Sequence, residues 1–281
     1  MMLNPTSHKL VMQRFIPFVI SFVLLCLFLF PYLYLVLNSF KPPGEVISST
    51  PTLWPTIFTL ENYTTMFDQL AIGKYFGNSF IASAFSTIMS IFLGSLAAYG
   101  LSRFRSKIST VFLLITLGIR LIPGISVAIP LYRIIGDFGF MDTKLALVLV
   151  YSSINVPFVI WMMIGFFDSL PKELDESARV DGCGMLGAFM RIVIPISMPG
   201  LATTAIFCFM LSWNDFLFAL LLTSTSAKTV PVGISEFLTA YNLDLGPMTA
   251  AAALFSLPVM LFSYFMQNYI VSGLTMGAVK E

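Results

Sequence analysis

The chain has 281 residues, of which 57% are hydrophobic and only 10% are charged, and its formal net charge is +1. A soluble domain carries roughly 25% charged residues, so this composition is typical of a membrane protein. The near-neutral charge gives no indication of a nucleic-acid partner. The cysteines at positions 26, 183 and 208 have no spacing typical of a disulfide framework or a metal site.

Six apolar segments are long enough to cross a membrane, since a spanning helix needs about 20 apolar residues. The first is too long for a signal-peptide core and lacks a small-residue cleavage site, so we interpret it as a retained span. The predicted spans are about 15–37, 75–102, 108–131, 145–167, 198–222 and 248–272. The predicted fold is an all-α polytopic membrane protein with six transmembrane helices in a single domain.

Lysine and arginine predict the orientation of these spans, because cytoplasmic loops are enriched in both. The favoured orientation has nine basic residues inside and five outside. The inner set is Lys9, Arg14, Arg103, Arg105, Lys107, Lys172, Arg179, Arg191 and Lys280, and the outer set is Lys41, Lys74, Arg133, Lys144 and Lys228. Both termini and the polar segment 168–197 are therefore predicted to be cytoplasmic.

The second span carries a small residue at every fourth position, which places these residues on one face of a helix. They are Ala82, Ser86, Ser90, Gly94 and Ala98. Small residues let helices approach closely in lipid, where packing drives association. We expect this face to pack against another helix, either within the chain or in another subunit.

Motifs for enzymatic chemistry are absent from the sequence. There is no G-x-x-x-x-G-K-[ST] nucleotide loop, and the single histidine, His8, supports neither a metal site nor a nucleophile–histidine pair. Only Arg120 and Asp215 are ionisable within the spans, which is sparse for a membrane enzyme or a proton-driven carrier. The residues indicate a polytopic membrane protein that is not an enzyme by itself.

Segment 168–197 has the pattern of two short helices joined at a glycine. Pro171 and the acids after it favour a helix start, and Gly182 favours a turn. Met185, Leu186 and Phe189 then form an apolar face at helical spacing. Such a face either lies on the membrane surface or enters the groove of a partner, and the residue pattern leaves both open.

The same segment resembles the EAA loop of ATP-binding-cassette (ABC) importer permeases. That motif reads E-A-A, three residues, G, nine residues and I-x-L-P, and here the matching stretches are Glu176-Ser177-Ala178, Gly182 and Ile192-Val193-Ile194-Pro195. Ser177 and Ile194 depart from it but remain small and aliphatic. The stretches WNDFLFALLLT (213–223), MDTKLALVLVY (141–151), IPLY (129–132) and GLTMGAVKE (273–281) resemble the carbohydrate-uptake branch, in particular its maltose-type inner permease subunit.

The resemblance implies the permease subunit of an ATP-driven, binding-protein-dependent importer that carries a saccharide or polyol across the cell inner membrane. It implies a second related permease that completes a heterodimeric pore, two ATPase subunits and an extracytoplasmic solute-binding protein, all around a chain embedded in membrane lipid. No cofactor or metal is expected on this chain, because ATP and Mg²⁺ belong on the ATPase subunits. A non-sugar or sugar-phosphate substrate is the alternative.

The resemblance also implies which residues couple the chain to the ATPase. They are Glu176, Ala178, Arg179, Gly182, Met185, Leu186, Phe189 and Pro195. We expect the three large apolar side chains of this set to fill a cleft of the ATPase, Glu176 and Arg179 to make charged contacts at its rim, and Gly182 to supply the turn. The tail 273–281 resembles a segment that extends toward the ATPase dimer, with a flexible tail as the alternative.

Four polar residues within the spans are candidates for the substrate pathway: Arg120, Asn155, Asn214 and Asp215. Arg120 lies about 18 Å into its span at 1.5 Å per residue, so it either faces the pore or pairs with a buried group. Asn214 and Asp215, beside Trp213, either contact a sugar or hydrogen-bond between helices. The same two alternatives apply to Asn155.

Overall fold

The computed structural model describes residues 5–69, 71–104, 106–180, 182–238 and 244–276, and their regular secondary structure is helical, as predicted. The helices are α1 (Pro5–Ser39), α2 (Pro43–Val46), α3 (Glu61–Gln69), α4 (Ile72–Arg103), α5 (Lys107–Arg120), α6 (Gly124–Asp137), α7 (Lys144–Ser169), α8 (Glu173–Val180), α9 (Met185–Ala188), a π-helical turn (Phe189–Val193), α10 (Ile194–Ile196), α11 (Met198–Trp213), α12 (Leu217–Leu222), α13 (Val230–Ser235) and α14 (Leu245–Met276). The chain forms two compact units, Met1–Leu70 with Phe237–Leu254, and Ala71–Glu236 with Phe255–Glu281.

Four helices of the described chain are long and apolar enough to cross a membrane: Phe15–Ser39, Ile72–Arg103, Lys144–Ser169 and Leu245–Tyr264. Two further helix pairs pass the same test together but are bent, so the number of spans is six only if each bent pair counts as one. Lys107–Arg120 and Gly124–Asp137 meet at 98°, and Met185–Ile196 and Met198–Trp213 meet at 81°.

The prediction of one continuous helix over 108–131 is therefore wrong. Pro123 has an extended backbone (ψ 135°) and stands between α5 and α6. Proline lacks an amide hydrogen and disfavours the helical conformation of the residue before it, so the helix ends ahead of Pro123 and restarts in a new direction. The apolar count was sufficient for a span, but it carried no information about this bend.

The predicted fifth span, 198–222, is also interrupted. α11 ends at Trp213 and α12 begins at Leu217. The carboxylate of Asp215 accepts hydrogen bonds from the amides of Phe218 and Ala219 at 3.1 and 3.2 Å, which satisfies free donors in the first turn of α12. Asp215, the acid within this predicted span, thus helps to start helix α12.

In the first unit, Asn62 of α3 holds the end of α1. Its side-chain amide donates to the carbonyls of Ser39 and Lys41 at 3.1 and 2.7 Å. Asn62 is fully buried, so these bonds satisfy backbone carbonyls that a helix end leaves without intrahelical partners.

The core of the second unit is the contact between α4 and α7. The small residues predicted to share a face of α4 are buried, and a Cβ atom added at Gly94 would lie 2.6 Å from Val159 of α7. The stripe therefore packs within this chain, which settles one of the two alternatives that the sequence left open. Close approach of the two backbones makes α4 and α7 behave as one packed pair.

A buried polar layer joins this pair to α11. Ser86 of α4 donates to the hydroxyl of Ser212 of α11 at 3.1 Å, and Asn155 of α7 donates to the same hydroxyl at 2.9 Å. Buried polar side chains are tolerated among apolar helices when they hydrogen-bond to one another. The layer therefore specifies how α4, α7 and α11 pair.

Candidate functional site

The EAA segment (168–197) forms the predicted helix–glycine–helix pattern. α8 begins with Glu173, Asp175 and Glu176 in its first turn, where acids complement the helix dipole. It ends at Val180, and Gly182 follows with φ +82°. The amide of Cys183 donates to the carbonyl of Ala178 at 2.9 Å. This left-handed glycine with a six-to-one hydrogen bond is a Schellman-type helix end.

Glycine at 182 is required by backbone conformation and not by lack of space. A Cβ atom added there would have no neighbour within 4 Å. L-residues with a side chain are strained at this φ, by about 1–2 kcal/mol. Any side chain at position 182 is therefore disfavoured by backbone strain and not by a clash.

Two of the expected ATPase-contacting residues, Ala178 and Phe189, are buried inside the chain. Phe189 is 1% exposed, and its ring packs 4.8 Å from the ring of Tyr99 and 6.1 Å from that of Phe167. The expectation that Phe189 fills a partner's cleft is therefore wrong for this structure, because its ring is already enclosed. Its contribution is to hold the EAA segment against α4 and α7.

The apolar surface that remains free on the EAA segment lies on either side of Gly182. Val180 and Leu186 are 87% and 66% exposed, and Met185 and Met190 are exposed as well. Together these four residues form what we call the exposed apolar patch. Exposed apolar clusters of this kind mark interaction surfaces.

The remaining residues of the predicted coupling set are placed as follows. Glu176 is exposed on α8, and Pro195 is exposed in α10. The backbone of Arg179 is helical, but its side chain lies outside the described residues. Residues 277–281 of the predicted tail also lie outside them, whereas 273–276 continue α14.

Arg120 is the last residue of α5 and is exposed. Its guanidinium lies 5.2 Å from the ring centre of Phe158, a cation–π contact. It lines two cavities, of about 460 Å³ and about 300 Å³, and no carboxylate of the described residues forms an ion pair with it. This environment does not show the buried ion pair among the described residues, and the pathway-facing role of Arg120 stays a prediction.

Asn155 and Asp215 make hydrogen bonds of different kinds. Asn155 is 2% exposed, and its amide donates to Ser212 and to the carbonyl of Cys208 on α11. These contacts favour the helix-pairing alternative for Asn155. Asp215 accepts from amides at the start of α12, next to it in the chain, so substrate contact and helix pairing by Asp215 both stay predictions.

Asn214 is exposed, and its side-chain amide donates to the carbonyl of Met210 at 2.8 Å, one turn earlier. This bond caps the end of α11 through the nitrogen of the side-chain amide and does not use its oxygen. Substrate contact by Asn214 stays a prediction.

A charged latch that the sequence reading missed joins loop 223–229 to the start of α7. The carboxylate of Asp142 accepts hydrogen bonds of 2.9–3.2 Å from four successive amides, those of Ser224, Thr225, Ser226 and Ala227. Asp142 itself has φ +57°, which Asp tolerates better than most residues. We call this arrangement the Asp142 latch.

The latch depends on the ionised form of Asp142. Burial raises the pKa of this carboxyl, but the amides of Ser224, Ser226 and Ala227 outweigh burial and hold the pKa well below its usual range. The other side of the loop is held by Asn78 of α4, whose amide donates to the carbonyls of Ser226 and Lys228 at 3.0 and 2.9 Å. Nothing local in the stretch around Asp142 indicates a partner some 80 residues away.

Known proteins resemble this chain over nearly its whole length. Residues 90–276 match the family described as binding-protein-dependent transport system inner membrane component. The chain is 37% identical over 255 residues to the inner membrane ABC transporter permease protein YcjP of Escherichia coli, covering 90% of this chain and 91% of that protein. It is 32% identical over 274 residues to the trehalose/maltose transport system permease protein MalG of Thermococcus litoralis, covering 96% and 98%.

The fold has a solved counterpart as well. A chain from the crystal structure of a bacterial ABC transporter that imports the acidic polysaccharide alginate superposes with a TM-score of 0.77, at 20% identity, over 96% of this chain and 99% of that chain. The chain is a helical membrane permease of the ABC importer class. It belongs to the family of binding-protein-dependent transport system inner membrane components.

Proposed function

We propose that this chain is a permease subunit that moves a saccharide across the cell inner membrane, driven by ATP hydrolysed on partner subunits. The observation that carries this proposal is the exposed apolar patch, presented on both sides of the left-handed turn at Gly182 in a segment with the spacing of the EAA motif. An apolar helical surface of this size needs a protein or lipid surface to cover it.

The partner for this patch is an ATPase subunit. The chain has no P-loop sequence, so it does not supply the ATP site, and ATP with its Mg²⁺ binds on two ATPase subunits. A second, related permease completes the pore, and an external solute-binding protein delivers the substrate. Both termini and the EAA segment face the cytoplasm, in agreement with the excess of lysine and arginine on that side.

The chain's own residues carry out three tasks in this function. Met185 and Leu186 enter the ATPase cleft, and Gly182 sets the angle between the two halves of the EAA segment. The packed pair α4–α7 moves as one body, because the two helices lie so close at Gly94 that an added Cβ atom would be 2.6 Å from Val159. Rocking of such rigid helix bodies opens the pathway alternately to the two sides.

The substrate is a saccharide. Relatives of this chain include permeases of diacetylchitobiose and of melibiose, raffinose and stachyose uptake, at 32% identity each. An anionic saccharide derivative is a second candidate, because Arg120 is exposed beside a cavity of about 460 Å³ and pairs with no carboxylate among the described residues. A relative at 31% identity is named for sulfoquinovosyl glycerol.

The coupling role is tested by measuring the affinity of the reconstituted permease pair for its cognate ATPase subunit. Leu186→Ala should weaken ATPase binding about tenfold, which corresponds to about 1.4 kcal/mol of lost apolar contact. Ile108→Ala is the matched control, since Ile108 is also largely exposed (81%) and directly follows Lys107, which is predicted to lie on the same side. Unchanged affinity in Leu186→Ala and in a Met185→Ala/Leu186→Ala double variant would remove the basis of the proposal, as would uptake without the ATPase.

The substrate class is tested with proteoliposomes that contain the full transporter and its binding protein. Uptake of labelled neutral oligosaccharides is compared with uptake of uronate and phosphorylated sugars. Arg120→Gln should lower uptake of an anionic substrate by about tenfold or more and leave uptake of a neutral one within about twofold, because a guanidinium–anion bond contributes roughly 1.5–3 kcal/mol. Equal effects on both classes would exclude charge recognition by Arg120.

A further inference from the structure

One acid in the first turn of α8, Asp175, bonds this part of the EAA segment to α4. Its two carboxylate oxygens accept from two residues of α4. The hydroxyl of Tyr99 donates to one at 2.6 Å, and Nε of Arg103 donates to the other at 2.5 Å. The side chains of Arg103 and Asp175 are only 10% and 14% exposed, so this ion pair is shielded from solvent.

The same guanidinium also reaches the third partner, α7. Nη1 of Arg103 donates to the carbonyl of Phe167 at 2.9 Å, near the end of that helix. One arginine thus bridges α8, α4 and α7. Guanidinium groups suit such bridging because their donors are held in a rigid planar fork.

Polar and apolar contacts both join the EAA segment to the spans. The polar contacts are the Asp175–Arg103 pair and the hydrogen bond that the hydroxyl of Ser102 donates to Asp168 at 2.6 Å. The apolar contact is a buried cluster that contains Tyr99, Phe167, Phe189 and Val193. A cavity of about 490 Å³ lies beside the ion pair and is lined by α4 and by residues such as Glu176 and Met185, so the polar link from α8 itself to α4 is Asp175.

We propose that Asp175 is the positioning residue of a coupling strut, formed by Asp175, Arg103 and Tyr99, that transmits displacement of the EAA segment to the spans. This inference rests on the proposed function, since it presumes that an ATPase moves the segment. A push on α8 reaches α4 through both oxygens of Asp175 and reaches α7 through Arg103. Because α4 and α7 pack as one body, the push moves both spans together.

Charge on Asp175 is what makes the strut stiff. A carboxylate accepts charge-assisted bonds from Arg103 and Tyr99, and these are shorter and stronger than neutral ones. The amide in Asp175→Asn has the same shape, but it offers only one acceptor oxygen and turns an NH₂ group toward a donor. The variant keeps the fold of α8 and loosens its link to α4.

The experiment uses the complete reconstituted transporter with its ATPase and binding protein. Two quantities are measured: the amount of ATPase that co-purifies with the permease, and the number of substrate molecules imported per ATP hydrolysed. In Asp175→Asn, co-purification should stay within about twofold of the wild type, whereas import per ATP should fall about tenfold. Glu173→Gln, an exposed acid of the same helix turn, is the control and should change neither quantity.

A charge exchange supplies the second test. Arg103→Asp and Asp175→Arg should each uncouple the transporter, and the double variant should regain import per ATP at least threefold above either single variant. Normal import per ATP in Asp175→Asn overturns the proposal, as does loss of ATPase co-purification, which would make Asp175 a docking residue. Failure of the proposed function would give a different result, since Leu186→Ala would then bind the ATPase as tightly as the wild type.

Discussion

Replacing Gly94 with alanine tests whether the small-residue face of α4 sets its distance from α7. The added methyl group would lie 2.6 Å from both Cβ and Cγ1 of Val159 and 3.3 Å from the carbonyl oxygen of Val156. Cβ of Val159 is attached directly to the backbone, so no change of rotamer moves it away. The two helices must separate locally, and α4 and α7 would lose close packing around the substitution.

The size of the effect follows from two opposing contributions. Overpacking a well-filled core costs about 1–3 kcal/mol, and alanine is favoured over glycine in a helix by up to about 1 kcal/mol. The net expectation for Gly94→Ala is a loss of about 1–2 kcal/mol. Gly100→Ala is the matched control on the same helix, since a Cβ atom there meets nothing within 4 Å, and it should be neutral or stabilising.

The assay is denaturant or thermal unfolding of the purified chain in detergent, with both variants measured beside the wild type. A third variant, Gly94→Ala/Val159→Gly, removes both Cβ and Cγ1 of Val159, the two atoms that obstruct the new methyl group. It should be destabilised by less than the sum of its two single substitutions, with a coupling of about 1 kcal/mol. If Gly94→Ala is as stable as Gly100→Ala, or if the double variant is strictly additive, α4 and α7 do not pack at this position as described.

Two further predictions concern Asp142 and Gly182. Asp142→Asn should release loop 223–229 and speed its cleavage by protease added to proteoliposomes. In the wild type the loop should stay protected from pH 8 to pH 5. The pKa of Asp142 is lower in the folded protein than its unfolded value of about 4, so the carboxylate stabilises the loop fully above that value and stops doing so only as pH falls through the lower folded pKa. Protease sensitivity that appears between pH 6 and pH 5 would contradict the latch. For substitutions of Gly182, import by the reconstituted transporter should decline in the order Gly, Asn, Ala, Val, because asparagine tolerates positive φ and a β-branched residue does not. If the alanine variant imports as well as the wild type, backbone strain is not the reason for glycine at this position.

Local properties of the sequence predicted the straight spans well. The predicted segments 75–102 and 145–167 correspond to α4, Ile72–Arg103, and α7, Lys144–Ser169, within a few residues. A continuous apolar run is visible in one dimension, and its length decides whether it crosses a membrane. The turn at Gly182 could be predicted for a similar reason, because tolerance of positive φ is a property of glycine itself.

Phe189 shows where such reasoning stops. Leu186 and Phe189 belong to one apolar pattern at α-helical spacing, yet Leu186 is exposed and Phe189 is enclosed. The α-helical spacing places both side chains on one side of the helix, but it does not show which part of that side meets the spans. The rings that enclose Phe189 come from Tyr99 and Phe167, which no local pattern connects to it.

Composition and spacing by themselves determined that this chain is a helical membrane protein, which segments are apolar enough to span, and which segment carries the EAA pattern. Tertiary structure alone decided that the α4 stripe packs on α7, that Asp142 holds a loop about 80 residues away and that Asp175 joins the EAA segment to two spans. The physical reason is the range of the interactions. Burial of an apolar run and the φ of a glycine are local preferences, whereas a carboxylate's partners depend on where the folded chain brings distant donors.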